Sequence, residues 1–182
     1  KEWIGLGDPM NLTRRGHLRA MGYTDYDMER PIIGVCNPWS ELNPGHSHFR
    51  TLGDADKRGI WAAGGFPLEF PTISMCEVFH DISTLIYRNL MAMELEETLR
   101  AYPIDGVALL CGCDKTTPAQ LMGAASANLP AIQLNAGPKA TGRWRGQEVG
   151  SGTSLWKYWD EYRAGKIGDE DCAPKGEISC RD

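Results

Sequence analysis

The chain has 182 residues, 42% of them hydrophobic, and a formal net charge of −5. That suffices for one globular domain with a real core, or for a piece of a larger one. The scattered basic residues argue against nucleic acid or an anionic membrane as partner, and no apolar run is long enough to span a bilayer.

Residues 1–30 are polar and glycine-punctuated and read as an arm ending in a short helix. The domain proper is expected over 31–182. Pro31 to Cys36 (PIIGVC) is a β-branched strand, and Asn37 to His48 (NPWSELNPGHSH) is a turn-rich loop. Leu52, Ala55, Ile60 and Ala63 recur at helical spacing over Phe49 to Ala63, and Gly64-Gly65 closes that helix. Phe66 to Met75 contains a strand. Ser83 to Ala101 is the strongest helix, with Leu85, Ile86, Leu90, Met93, Leu95 and Leu99 as its apolar face. Gly106 to Cys111 (GVALLC) is a buried strand, and Pro118 to Ala127 a helix with Thr117 as N-cap. Ala131 to Leu134 is a further strand, and Trp156 to Arg163 a helix. The alternation predicts an α/β fold, three-layer α/β/α with a largely parallel sheet.

The six cysteines, at 36, 76, 111, 113, 172 and 180, contain no CxxC pair. They are too sparse for a stapled secreted domain, and Lys1-Glu2-Trp3 opens without a secretory pattern. The expected compartment is the cytoplasm.

Chemistry concentrates in LCGCDKTTPA, residues 110–119, where a strand hands over to a helix. Ligands of open α/β sheets gather at that rim. A thiolate at Cys113 suits a soft metal and a carboxylate at Asp114 a hard cation. Lys115 fits beside cations if neutral, or if carbamylated into an oxygen ligand. The plainer alternative is a solvated Asp114–Lys115 turn pair with Cys113 as a buried filler. Glu77, in SMCEVFHD, sits at a second strand-to-helix junction. It can approach Asp114 or simply compensate a helix N-terminus. His80 and Asp81 are capping candidates. His46 and His48 are a weak metal signal, and Lys139, Arg143 and Arg145 form a basic loop that can hold an anion. Cys111 with Cys113 is a weak zinc signal. No P-loop and no G-x-S-x-G elbow is present.

The run CDKTTPAQLMGAASANLPAIQLNAGP resembles the signature of the dihydroxyacid and sugar-acid dehydratases. RPIIGVCNPWSELNPGH, AGGFPLEFPTIS, TGRWRGQEVGSGT and WKYWDEYRAGKI extend the likeness from Arg30 to Ile167. The resemblance implies the N-terminal part of a larger dehydratase, inactive as this fragment and homo-oligomeric through its full chain. It implies an iron–sulfur cluster, 2Fe–2S in preference to 4Fe–4S, with Cys113 as one ligand. It also implies Mg2+ at Glu77, Asp114 and carbamylated Lys115, with Lys115 catalytic. In that chemistry an iron acts as Lewis acid on the C3 hydroxyl while Mg2+ binds the carboxylate and C2 hydroxyl. Loss of water gives an enol that tautomerises to a 2-keto-3-deoxy acid.

Departures from the pattern matter. Cluster-binding members carry cysteine after the proline of the first loop, where this chain has Pro44-Gly45-His46. Cys36 and His46 are alternatives, neither a motif match. Cys180 is not expected to be a ligand, and the serine resembling the family's proton-abstracting base belongs to the C-terminal portion. CEVFHD around Glu77 resembles the sugar-acid branch, so an aldonate is the expected substrate. Dihydroxyacid dehydration in branched-chain amino-acid synthesis, or a cluster-less relative that binds a sugar acid or a partner, are the alternatives.

Overall fold

The computed structural model describes residues 3–136, 142–144, 146–150 and 153–168. The chain forms two compact units, one up to Ala136 and one from Gly137.

In the first unit, α1 (Pro9–Ala20) and α2 (Asp25–Met28) precede β1 (Ile32–Cys36). Then come α3 (Phe49–Ala62), β2 (Phe66–Phe70), α4 (Arg88–Ala101), β3 (Gly106–Cys111), α5 (Thr116–Ala127) and β4 (Ala131–Asn135). Short 3-10 turns lie at Pro44–His46, Glu77–Phe79 and Thr84–Tyr87. The four strands form one parallel sheet in the order β2–β1–β3–β4. The fold is therefore the expected α/β arrangement.

Side-chain alternation sends neighbouring residues of each strand to opposite faces. Cys36, Val107 and Leu109 pack against Leu95 and Leu99 of α4 and Ala124 of α5. Val35 and Leu110 face the other way, onto Phe49, Leu52 and Ile60 of α3. β3 is buried along its whole length, as expected for a central parallel strand covered by helices on both sides. The arm is part of this packing: Ile4 and Met28 join Ile32 and Phe66 in a third cluster. A cleft of about 700 Å3 lined by Trp3, Arg30, Pro31 and Asp105 opens at the amino ends of β1 and β3, opposite the CGCDK rim.

Three local expectations change. The segment from Ser83 begins as a 3-10 turn, Thr84–Tyr87, before α4 starts at Arg88. A 3-10 turn advances at 3.0 rather than 3.6 residues per turn, so the buried face is re-phased. Met91, Ala92, Leu95 and Leu99 face inward, whereas Leu85, Ile86, Leu90 and Met93 are exposed. α5 starts at Thr116 rather than Pro118, and Thr117 is helical instead of a cap. Pro118 is tolerated there because an N–H in the first turn has no intrahelical partner to lose. In α3, Phe49 and Gly53 are buried, while Ala55 and Ala63 are exposed.

The second unit contains an antiparallel pair, β5 (Gly142–Trp144) with β6 (Gln147–Val149), and α6 (Thr153–Arg163). Among the described residues no helix is long and apolar enough to cross a membrane.

Candidate functional site

The site grows from the carboxyl end of β3. Thr117 N donates to Cys113 O at 3.0 Å and Ala119 N to Lys115 O at 3.2 Å, so the first turn of α5 folds back over Cys113–Lys115. Within that tight turn Asp114 is exposed while the neighbouring Lys115 side chain is largely covered. Lys115 Nζ lies 3.1 Å from Asp114 Oδ2 and 2.9 Å from Glu77 Oε2. The ammonium is not in bulk water: the Lys115 side chain is 16% exposed.

Glu77 arrives from the chain that follows β2, and its other oxygen is held. Ser83 Oγ donates to Glu77 Oε1 at 2.7 Å and Thr84 N donates to the same atom at 3.2 Å. The Ser83 hydrogen bond, followed by the one from Lys115, holds the Glu77 carboxyl below its usual value. Conversely, the hydrogen bond to Glu77, and then Asp114, raises the Lys115 amine. Three candidate residues from two strand-to-helix junctions are thus brought to one point.

Cys113 is only partly buried, and its Sγ lies 3.2 Å from Thr116 Oγ1. The same hydroxyl is 3.5 Å from His46 Nε2. His46 is fully buried on the Pro44–His46 turn, which Asn43 caps by accepting from Gly45 N. The imidazole stacks on Phe49 at 4.5 Å and lies directly over Gly112. A Cβ on Gly112 would come within 2.7 Å of His46 Cδ2 and 2.9 Å of Phe49 Cζ, so a side chain here would force those rings to shift. Burial pushes His46 down to about 4, which makes it a neutral imidazole at physiological pH.

The remaining candidates lie elsewhere. Cys36 points into the α4–α5 core, within 3.4 Å of Gln120 Nε2 and 3.9 Å of Thr72 Oγ1, and burial pushes its thiol up to about 12. Cys111 Sγ donates to Asn135 Oδ1 at 3.0 Å. His48 Nε2 contacts Ala136 O at 3.2 Å, and its ring meets Phe49 edge-on at 5.0 Å, so the two histidines of the loop share Phe49 but not their hydrogen-bond partners. His80 is occupied in an exposed local turn with Ile82. Arg143 pairs loosely with Glu148 at 3.7 Å. Lys139, Arg145, Cys172 and Cys180 lie outside the described residues. Among the described residues no three His, Cys, Asp or Glu side chains converge.

Sequence reasoning misses Ser83 and Thr116. A serine opening a helical run is a visible capping signal, but its second bond, to a residue six positions earlier, is not. Thr116 looks like any first-turn residue until His46 is seen beside it.

A family model described as dihydroxy-acid/6-phosphogluconate dehydratase N-terminal matches residues 30–182. The chain belongs to this dehydratase family. The matched span includes Gly45, His46, Glu77 and Cys113–Lys115. The chain is 56% identical over 168 residues to a 6-deoxy-6-sulfo-D-gluconate dehydratase of Pseudomonas putida, covering 92% of this chain and 29% of the relative. It is 47% identical over 167 residues to an L-arabonate dehydratase of Azospirillum brasilense, covering 91% and 29%. A dihydroxy-acid dehydratase of Methanococcus maripaludis is 41% identical over 177 residues, covering 91% and 32%. The chain therefore spans about three-tenths of the length of these curated relatives.

Proposed function

We propose that the full protein containing this domain dehydrates a sugar acid of the aldonate class to a 2-keto-3-deoxy acid. In this reading Glu77, Asp114 and Lys115 hold Mg2+, and Cys113 is one ligand of an iron–sulfur cluster, 2Fe–2S in preference to 4Fe–4S. The observation that carries it is the convergence of Glu77 Oε2 and Asp114 Oδ2 on one ammonium, at 2.9 and 3.1 Å. Two carboxylates from separate junctions already surround a positive charge, which is what a hard-cation site requires.

The residues fit the implied groups. The Lys115 ammonium occupies the point where a cation would be shared. As its carbamate, formed when the neutral amine adds carbon dioxide and releases a proton, Lys115 offers an oxygen in place of a competing charge. Glu77 keeps one oxygen tied to Ser83 and Thr84 and turns the other toward this point, the outer-shell support that metal-binding carboxylates need. Cys113 offers a part-buried sulfur beside a hydroxyl. When bound, the cluster and Mg2+ would supply Lewis acidity at the C3 hydroxyl and at the carboxylate with its C2 hydroxyl, respectively. The chain's own part is to orient: the α5 turn fixes the order Cys113, Asp114, Lys115, so a soft and a hard donor stand one residue apart, as two adjacent reacting carbons demand.

The sulfogluconate and arabonate relatives, at 56% and 47% identity, favour a sugar acid over a branched-chain dihydroxy acid. The test is an anaerobic assay of the full-length enzyme on pentonates, hexonates and 2,3-dihydroxyisovalerate, following 2-keto acid release. Turnover of an aldonate that is lost on removal of Mg2+ and in Asp114→Asn is expected. Turnover of dihydroxyisovalerate alone, or binding of aldonates without product, would overturn the reading.

A further inference from the structure

We propose that His46 is a positioning residue: its buried ring couples the loop carrying Glu77 to the turn carrying Asp114 and Lys115. The inference rests on the reading of those three residues as one site, and concerns what fixes their separation.

Three segments leaving the carboxyl ends of β1, β2 and β3 meet on this imidazole. From the loop after β1, Pro38 O lies 3.1 Å and Asn43 Nδ2 3.0 Å from Nδ1. From the chain after β2, Ser74 Oγ lies 2.7 Å from the same nitrogen, three residues before Glu77. From the turn after β3, Thr116 Oγ1 lies 3.5 Å from Nε2, one residue past Lys115. Either tautomer makes the link. With the proton on Nδ1, the ring donates to Pro38 O and accepts from the Thr116 hydroxyl. With it on Nε2, the ring donates to Thr116 and accepts from Ser74 or Asn43. Both nitrogens are engaged, so the ring serves as a connector and not as a metal donor.

The ring is also held in place. It is fully buried, stacks on Phe49 at 4.5 Å and lies over Gly112, the residue before the Cys113–Lys115 turn. Asn43 reinforces the same crossing, its Nδ2 lying 3.2 Å from Ser74 Oγ and 3.4 Å from Met75 O. Hydrogen bonds in such a dry setting are stronger than exposed ones. By contrast, the direct bond between the two segments is the Lys115–Glu77 ion pair, whose carboxylate is 43% exposed. An ion pair that open to water fixes little by itself. The separation of Glu77 from Asp114 and Lys115 is therefore set by the buried route through Ser74, His46 and Thr116.

The test measures hydrogen exchange by mass spectrometry in the full-length enzyme carrying Ser74→Ala, Thr116→Val, both together, or His46→Leu. Mn2+ binding, followed by EPR after bound divalent cations are stripped, is read on the same proteins. Thr116→Val is expected to speed exchange about fivefold in the peptide over 74–84, the scale of one lost hydrogen bond. Ser74→Ala should do the same in the peptide over 112–119. In the 74–84 peptide the double variant should exchange no faster than Ser74→Ala, because the route is already cut. His46→Leu should reproduce both effects and weaken Mn2+ binding about tenfold, as loss of support behind a metal ligand does. Peptides from α1 and β1 should exchange as in the wild type. A change confined to the substituted residue's own segment, additive effects in the double variant, or a rise spread over all peptides overturns the coupling. A wild type that binds no Mn2+ overturns the cation reading of the site, and the exchange results then decide the coupling on their own.

Discussion

Ser83 divides the labour of the Glu77 carboxylate: its Oγ donates to Oε1 at 2.7 Å, leaving Oε2 to meet Lys115 Nζ at 2.9 Å. The same serine accepts from Leu85 N at 3.3 Å and so caps the turn that leads into α4. One hydroxyl therefore ties a candidate metal ligand to the start of a core-packing helix. Exposed carboxylates rarely hold one rotamer without such a tie.

On the proposed Mg2+ reading, removing it should loosen the candidate metal site more than the fold. Ser83→Ala is expected to weaken Mg2+ binding to the full-length enzyme by about tenfold, the low end for loss of an outer-shell partner. The lost cap should cost about 1 kcal/mol of stability. Ser83→Thr keeps the hydroxyl and should restore most of the affinity. Mg2+ titration of the three proteins, with a denaturation curve for each, separates the two effects.

Much of this architecture was open to reading in the chain itself. Apolar runs bounded by glycine and proline mark β1, β3 and β4, and two strand-to-helix junctions make the approach of Glu77 to Asp114 and Lys115 foreseeable. What the chain hides is phase and long-range contact. Leu90 and Met93 satisfy helical spacing yet face outward, because the 3-10 turn at Thr84–Tyr87 rotates α4 out of step with the periodicity read from Ser83. The seating of His46 on Gly112 joins residues far apart in sequence, and no local periodicity encodes it. Glycine at 112 reads as an ordinary strand end until the imidazole above it is known.

That seating makes Gly112 a sensitive position. Gly112→Ala would set a methyl 2.7 Å from His46 Cδ2 and 2.9 Å from Phe49 Cζ, both fully buried. Both buried rings would have to shift, so an overpacking cost of about 1–3 kcal/mol is expected. Thermal denaturation of wild type and variant checks the size. A shift in the His46 ring resonances would locate the strain.

Gly123 tests the contact between α4 and α5 by a conflict of two effects. Replacing a mid-helix glycine by alanine gains about 1 kcal/mol of helix propensity in isolation. Here the added methyl would lie 2.6 Å from the Ala92 carbonyl oxygen and 3.0 Å from Leu95 Cβ. A backbone atom cannot rotate away as a side chain can. Helix separation should therefore win, and Gly123→Ala should lower the midpoint of chemical denaturation despite its better propensity.

On the acid side, Asp25 provides a pH-resolved check on how the arm is held. Arg19 donates to its carboxylate at 2.8 and 2.6 Å and Arg15 Nη2 approaches at 2.7 Å, and the Arg19 hydrogen bond holds Asp25 below its ordinary 3.8. A carboxyl lowered by folding stabilises the native state above its unfolded value and loses that contribution as the pH falls through the folded value. Asp25→Asn should therefore lower the denaturation midpoint at about pH 6, and the gap from wild type should close by about pH 2. A gap independent of pH would mean that the arginines contribute by packing alone.

On the proposed cluster reading, Cys36 should be dispensable for iron. It ends β1 on the sheet face covered by α4 and α5, packs with Leu95, Leu109 and Ala124, and bonds to Gln120 and Thr72. With its thiol pushed up to about 12 by burial, it is protonated at any physiological pH, whereas a metal-binding cysteine must be a thiolate. Bringing it to the rim would expose a fully buried core position. Cys36→Ala is thus expected to retain the iron and sulfide of the wild-type full-length enzyme, at a stability cost of about 1 kcal/mol for the small void left behind. Cys113→Ala should lose both while leaving the fold intact, since its residue is only partly buried and its sulfur bonds to Thr116 at the helix start. Colorimetric iron and sulfide per chain, read beside a circular dichroism spectrum of each variant, decide the matter. Iron loss in Cys36→Ala with an unchanged spectrum would require the first strand to rearrange on cluster assembly.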